Sequence, residues 1–195
     1  MGMYGRCEQC GERVEMKASG PSARYCSARC RQRAYRARCK KQLPARMREL
    51  PRWTAAAGKR PVTTDGAPAS STDAQTWTSH EEVVGGPHGV MLGGGLACID
   101  LDHCLSARGK LAPWAREIID AVPGAVVERS VSKRGIHIFG LLPEAPGRRR
   151  GRAEVYSRAR FIRTTEDIYR VGKIIDLQPA VTKLNSLERR GEIPT

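Results

Sequence analysis

Aromatic side chains are scarce: they make up 5% of 195 residues, and only two are phenylalanine. A core therefore has to come from aliphatic runs such as Ala125-Val126-Val127 and Ile136 to Leu142. No apolar stretch approaches the roughly 20 residues that a helix needs to cross a bilayer, which argues against a membrane partner. Met1 to Cys10 is short and polar, unlike a secretory leader, so the expected compartment is the cytoplasm. Internal repeats are absent. Acidic residues are also few, 20 against 34 Lys and Arg, giving a formal charge of +14.

A surplus of that size points to a polyanionic partner, and nucleic acid is the usual one. Its distribution is uneven. Residues 1–60 hold 16 Lys and Arg against 4 Asp and Glu, whereas the remaining residues are nearly balanced. The basic character belongs to the N-terminal segment.

That segment also holds Cys7, Cys10, Cys26 and Cys30, in the pattern C-x2-C-x15-C-x3-C. Two close pairs separated by a loop suit a tetrahedral zinc held by thiolates. Gly11 fits the tight turn of a metal knuckle, and Ser27 is placed to cap a helix that brings Cys30 into its first turn. A disulfide reading lacks the secretory signal that would accompany it. Of the other cysteines, Cys98 reads as core and Cys104 as structural.

Ser27 to Lys41 reads as a helix. Arg29, Arg33, Arg36 and Lys40 form one basic stripe at helical spacing, and Arg31 and Arg38 form a second. Like charges at this density oppose an isolated helix, and a phosphate backbone would relieve them. A solvated basic face with no ligand is the plainer alternative. Around Cys26 and Cys30 the chain resembles small zinc modules of actinobacterial and phage proteins. Pro44 and Pro51 break the helical pattern. The expected organisation is a zinc-binding basic module over 1–42, a linker and lead-in over 43–80 with a loop at 61–75, and a catalytic domain over 81–195.

In that last part the pattern alternates. Strands are predicted at Leu96–Asp102, Ala125–Ser130 and Gly135–Leu142, and a helix at Pro113–Val122. A hairpin is predicted from Glu154–Ser157 and Arg160–Thr164, and a helix near Val181–Arg190. This order suggests an α+β fold, with a mixed sheet and flanking helices.

The chemistry begins with Asp100 and Asp102, which follow the glycines Gly93 to Gly95. Alternate strand residues share a face, so the two carboxylates point one way while Ile99 and Leu101 point into the core. Carboxylates this close repel one another unless a cation intervenes, and Mg²⁺ or Mn²⁺ is the kind that leaves room for phosphates. A second cluster runs from Ser130 through Ser132, Lys133 and Arg134 to His137. Its turn, hydroxyls and cations suit a phosphate cradle, and His137 points away from the face that Ile136 and Ile138 bury. A third contains Glu154, Tyr156, Arg160 and Arg163. Glu154 offers another carboxylate for a two-metal site, and the arginines can reach a triphosphate.

Three stretches in this order, Ile-Asp-Leu-Asp-His, Glu-Arg-Ser-x-Ser-x-x-Gly-Ile-His and Glu-Val-Tyr-Ser-x-x-Arg-Phe, resemble the bifunctional primase–polymerase family of phages and plasmids, within the archaeo-eukaryotic primase superfamily. Trp53, Gly58-Lys59-Arg60-Pro61 and Thr76-Trp77-Thr78 are similar to that family's lead-in, so the resemblance covers about 50–170. It implies a primase–polymerase core in which Asp100, Asp102 and Glu154 bind the catalytic Mg²⁺ or Mn²⁺. His137 would contact the incoming nucleotide's phosphates, and Ser132, Lys133, Arg134 and Arg160 would hold the triphosphate. The implied reaction is attack of a 3′-hydroxyl on a nucleoside triphosphate, templated by single-stranded DNA during phage or plasmid replication. The zinc module would grip the template and a separate helicase would open it. If phage-encoded, the chain would work in the host cytoplasm. The family usually has glycine at the position of Lys133, and Thr-Gly where this chain has Thr164-Thr165-Glu166. Two other readings use the same residues: a non-catalytic, zinc-dependent DNA-binding replication protein with a degenerate nucleotide-binding domain, and a metal-dependent nuclease.

Overall fold

A computed structural model describes residues 4–15, 22–39 and 42–195, excepting the side chains of 37–39. The chain is α+β and divides into two compact units, Met1–Gln42 and Leu43–Thr195.

In the first unit, β1 (Tyr4–Arg6) and β2 (Arg13–Glu15) form an antiparallel hairpin. The helix α1 (Ala28–Cys39) follows, and Ser27 Oγ accepts the N–H of Cys30 at 3.2 Å. Arg29, Arg31, Arg33 and Arg36 are exposed along it. Lys40 and the side chain of Arg38, which belong to the expected stripes, lie outside the described residues.

The second unit is built on two antiparallel sheets. One has four strands: β3 (Trp53–Ala57), β4 (Arg60–Val62), β5 (His88–Met91) and β11 (Phe161–Thr164), in the order β11-β5-β3-β4. The other has six: β6 (Leu96–Leu101), β7 (Val126–Arg129), β8 (Ile136–Leu141), β9 (Arg148–Arg150), β10 (Ala153–Tyr156) and β12 (Ile168–Arg170), in the order β12-β7-β8-β6-β10-β9. Four helices complete it: α2 (Ala45–Arg48), α3 (His80–Val83), α4 (Pro113–Asp120) and α5 (Gln178–Arg189).

Three expectations are corrected here. The mixed sheet is instead a pair of sheets whose strands all pair antiparallel. The hairpin of Glu154–Ser157 with Arg160–Thr164 does not form. β10 pairs with β6 and β9, while β11 crosses to pair with β5, because Ser157 turns inward onto the backbone of Ala145 and Ala159 takes a left-handed φ of 47°. The stretch 43–80 is more than a linker. It carries β3, where Trp53 is fully buried and donates from its indole to the carbonyl of Met47.

The six-stranded sheet has two different faces. Ala97, Ile99, Leu101, Val127, Ile136 and Ile138 meet α4 and α5, through Trp114, Ile118, Ile119, Val181 and Leu184. Pro113 starts α4 with its φ preset for a helix. At the end of the helix the Arg170 guanidinium adds a donor to the carbonyls of Ile119 and Val122, which also accept the N–H groups of Val122 and Ala125. On the opposite face, Leu96, Cys98, Val126 and Phe139 pack with Trp53, Val90, Leu92 and Ile162 of the second sheet. This apolar contact covers only part of that face. The rest lines a cleft.

Candidate functional site

Strand register explains which side chains meet in the cleft. Residues directly opposite one another on neighbouring antiparallel strands share a face. Glu128 of β7 faces His137 of β8, His137 faces Asp100 of β6, Asp100 faces Glu154 of β10, and Glu154 faces Arg149 of β9. A row of five ionisable residues thus crosses five strands, at about 4.8 Å per strand. Asp102 lies two residues beyond Asp100, just past the strand end, and its N–H is held by the carbonyl of Arg152.

The row borders a cleft of about 580 Å³, whose walls include Asp100, Asp102, His137, Glu154, Ser132 and Arg160. Six of the eight residues expected for catalysis or nucleotide binding therefore converge. Lys133 and Arg134 do not line it: they sit exposed at the β7–β8 turn, with Lys133 at φ 57°. The turn is closed on itself, since Ser130 Oγ accepts the Gly135 N–H and lies 3.0 Å from Ser132 Oγ. A Cβ at Gly135 would stand 2.9 Å from the carbonyl of Leu101, so the approach of β8 to the end of β6 needs glycine. The cleft's cations come from Lys59, Arg149, Arg160 and Arg163 instead. Arg163 is partly committed, donating to the carbonyl of His88 at 2.6 Å.

Asp100 is the anomaly of the row. Its Oδ1 is buried without a hydrogen-bond partner, and the nearest cationic atom is His137 Nε2 at 3.8 Å. Burial, with the charges of Asp102 and Glu154, raises its pKa from 3.8 to about 6 against the pull of His137. Two carboxylates directly opposite on adjacent strands repel one another. Glu154 is already engaged: Arg149 Nε is 3.2 Å from its Oε1, and the Tyr156 hydroxyl donates to its Oε2 at 2.7 Å. Arg160 lies over the Tyr156 ring, 4.4 Å from its centre. Asp100, Asp102 and Glu154 thus share one wall of the cleft, but they are not among the groups of described residues whose ligand atoms all lie within 4.8 Å of one another.

His137 is oriented by a residue to which the sequence reading gave no role. Glu128 is fully buried, and its Oε1 accepts from His137 Nδ1 at 2.8 Å. That bond leaves Nε2 toward Asp100 and the cleft. Burial opposes a charge on His137, but the Glu128 hydrogen bond and the Glu128 and Asp100 charges raise its pKa overall. Glu128 Oε2 also accepts the N–H groups of Thr165 and Glu166, at 3.2 and 3.0 Å. The signal was present in Ala-Val-Val-Glu: a lone acid in a strand otherwise buried requires a partner.

The four cysteines of the first unit come together at the knuckle and the start of α1. Cys10, Cys26 and Cys30 have Sγ separations of 3.5 to 3.6 Å, and with Cys7 all four sulfurs lie within 4.8 Å of one another. A tetrahedral thiolate site with bonds of ~2.3 Å has edges of about 3.8 Å. The cluster therefore fits a metal ion. The Glu12 backbone N–H lowers the Cys10 pKa, but crowding by the Cys7 and Cys26 thiols pushes it up to about 12, a conflict that a cation would relieve.

No protein-family model matches this chain, and no curated protein matches it. No helix among the described residues is long and apolar enough to cross a membrane.

Proposed function

We propose that the second unit catalyses template-directed nucleotidyl transfer on single-stranded DNA, synthesising primers or extending DNA in phage or plasmid replication as a primase–polymerase. One observation carries the reading: Asp100 and Glu154 face each other across adjacent strands, and Asp100 keeps a buried oxygen without a partner. Asp100 and Asp102, with Glu154 beside them, would hold Mg²⁺ or Mn²⁺. When bound, such a cation neutralises phosphate charge and polarises the α-phosphate.

The chain's own residues do the positioning. His137, with Nδ1 fixed by Glu128, directs Nε2 at a phosphate oxygen. Arg160 and Arg149 flank Glu154, and Lys59 lines the same cleft, so a triphosphate would meet three cations on entry. The Ser132 hydroxyl adds a neutral donor at the rim. In the reaction a 3′-hydroxyl oxygen bonds to the α-phosphorus as the bond to the pyrophosphate oxygen breaks. The cysteine cluster would take Zn²⁺ as a structural ion, and the exposed arginines of α1 would hold the template backbone, with affinity falling as salt rises.

The test is nucleotide incorporation on single-stranded DNA, with NTPs or dNTPs and either Mg²⁺ or Mn²⁺. Product from the native chain and none from Asp100→Ala/Asp102→Ala supports the proposal. Absence of product from both, with DNA binding intact, replaces it with a non-catalytic DNA-binding protein.

A further inference from the structure

A second cluster of ligating side chains lies in the same unit, away from the carboxylate row. His80 begins α3, His88 begins β5, and Glu166 follows β11. Three elements distant in the sequence thus deliver two imidazoles and a carboxylate to one point. His80 Nε2 is 2.7 Å and His88 Nε2 3.2 Å from the same oxygen, Glu166 Oε1. The three ligand atoms lie within 4.8 Å of one another. Both histidines are nearly buried, at 5% and 6% exposure. The Trp53 ring walls them in, with centroids 4.6 and 5.7 Å away.

The hydrogen bonds leave a gap in this arrangement. His88 Nδ1 lies 2.8 Å from the carbonyl of Gly86. A carbonyl only accepts, so Nδ1 carries the hydrogen. In the neutral ring Nε2 then holds a lone pair aimed at a carboxylate oxygen, acceptor facing acceptor. One proton shared with Glu166, or a metal ion, fills that position. The Gly86 bond is the outer contact that metal-binding histidines usually make, fixing the ring and freeing Nε2.

The position of Glu166 is also built. It adopts φ 55°, a conformation disfavoured for a residue with a Cβ. Its N–H is held there by Glu128, a fully buried acid. Local preference alone would not keep a glutamate in that backbone conformation.

We propose that His80, His88 and Glu166 form a second metal site, for a divalent transition ion of the zinc class. Two imidazoles and one carboxylate are borderline donors, which suit such ions better than Mg²⁺ or Ca²⁺. Three protein ligands leave a coordination position for water. The site shares Glu128 with the cleft, since one oxygen of that acid orients His137 and the other holds the backbone of Glu166. It does not depend on the nucleotidyl-transfer reading.

The test is zinc stoichiometry on the full chain, stripped with chelator and reloaded with Zn²⁺, measured by elemental analysis and native mass spectrometry. The native chain should hold two zinc ions. Glu166→Gln and His88→Gln should each lose one, and Cys26→Ser/Cys30→Ser should lose the other. Loading with Co²⁺ separates the sites without relying on the stability of the variants. The native chain should show thiolate-to-cobalt charge transfer from one site and a weak d–d spectrum from an all-nitrogen-and-oxygen site, the latter absent in Glu166→Gln. A single zinc in the native chain, abolished by the cysteine substitutions and unchanged by Glu166→Gln, would overturn the proposal and leave His88 and Glu166 bridged by a proton.

Discussion

The two faces of the six-stranded sheet are made from the same strands by simple alternation, yet they serve opposite ends. Toward α4 and α5, Ile99, Leu101, Ile136 and Ile138 are sealed in an aliphatic layer. Toward the cleft, Asp100, His137, Glu128 and Glu154 occupy intervening positions on those strands or their neighbours. The first face is a source of stability, through apolar area removed from water. The second gathers like charges and an unpartnered oxygen that folding alone would not favour. The apolar face and the second sheet hold that arrangement in place.

Substitutions can test this contrast, read by tryptophan fluorescence in denaturant titrations, because all three tryptophans (Trp53, Trp77 and Trp114) belong to the second unit. The largest effect is expected at Glu128. Glu128→Ala strands His137 Nδ1 and the N–H groups of Thr165 and Glu166, and should destabilise by about 3–5 kcal/mol. A loss below ~1 kcal/mol would mean that water replaces the carboxylate. Next comes the apolar face. Ile118→Ala opens a cavity under α4 and should destabilise by about 3 kcal/mol, without moving the metal dependence of any incorporation activity.

Asp100→Asn should act in the opposite direction. The folded pKa is raised from 3.8 to about 6, so the native state favours the protonated acid, and stability falls as pH rises between those values. At pH 7 the ionised form carries the full penalty, on the order of 3 kcal/mol. Asparagine should recover much of it at pH 7 and nothing below about pH 4, while abolishing incorporation. Equal stability of the two proteins at both pH values would remove the strained carboxylate from the account. The smallest effect is expected at Lys133. With φ 57° and an exposed side chain, Lys133→Gly should stabilise by about 1 kcal/mol and leave incorporation unchanged. A large loss of incorporation would instead bring Lys133 into nucleotide binding.

Much of this face was legible before the structure. The alternation around Asp100 placed Ile99 and Leu101 in the core, and the cysteine spacing brought together Cys7, Cys10, Cys26 and Cys30. The helix α1 followed from its Ser27 cap and basic spacing and α4 from Pro113 and apolar spacing, whereas α5, expected near Val181–Arg190 in a weakly patterned stretch, starts earlier, at Gln178. The partners of strands were not legible, because a period of two says which face a residue takes and nothing about its neighbour. Glu154–Ser157 and Arg160–Thr164 looked like a hairpin for that reason, although they belong to different sheets. Trp53 was hidden in a segment rich in small residues, and its burial arises from pairing with β5. Glu128 and the cluster of His80, His88 and Glu166 depend on contacts across long separations. Lys133 and Glu166 both take left-handed backbone conformations, a region that glycine would enter freely.

An open sheet invites strands from other molecules at its margins, and the margin beside the cleft is β9. It consists of Arg148, Arg149 and Arg150, beyond which the six-stranded sheet has no further strand among the described residues. Arg149 and Arg150 pair with Glu154 and Glu188, and the charged, solvated side chains along that border oppose templating of cross-β growth. The four-stranded sheet ends on β4, where Pro61 has no N–H to offer an incoming strand. The protein can thus leave its charged cleft open while both of these borders resist self-association.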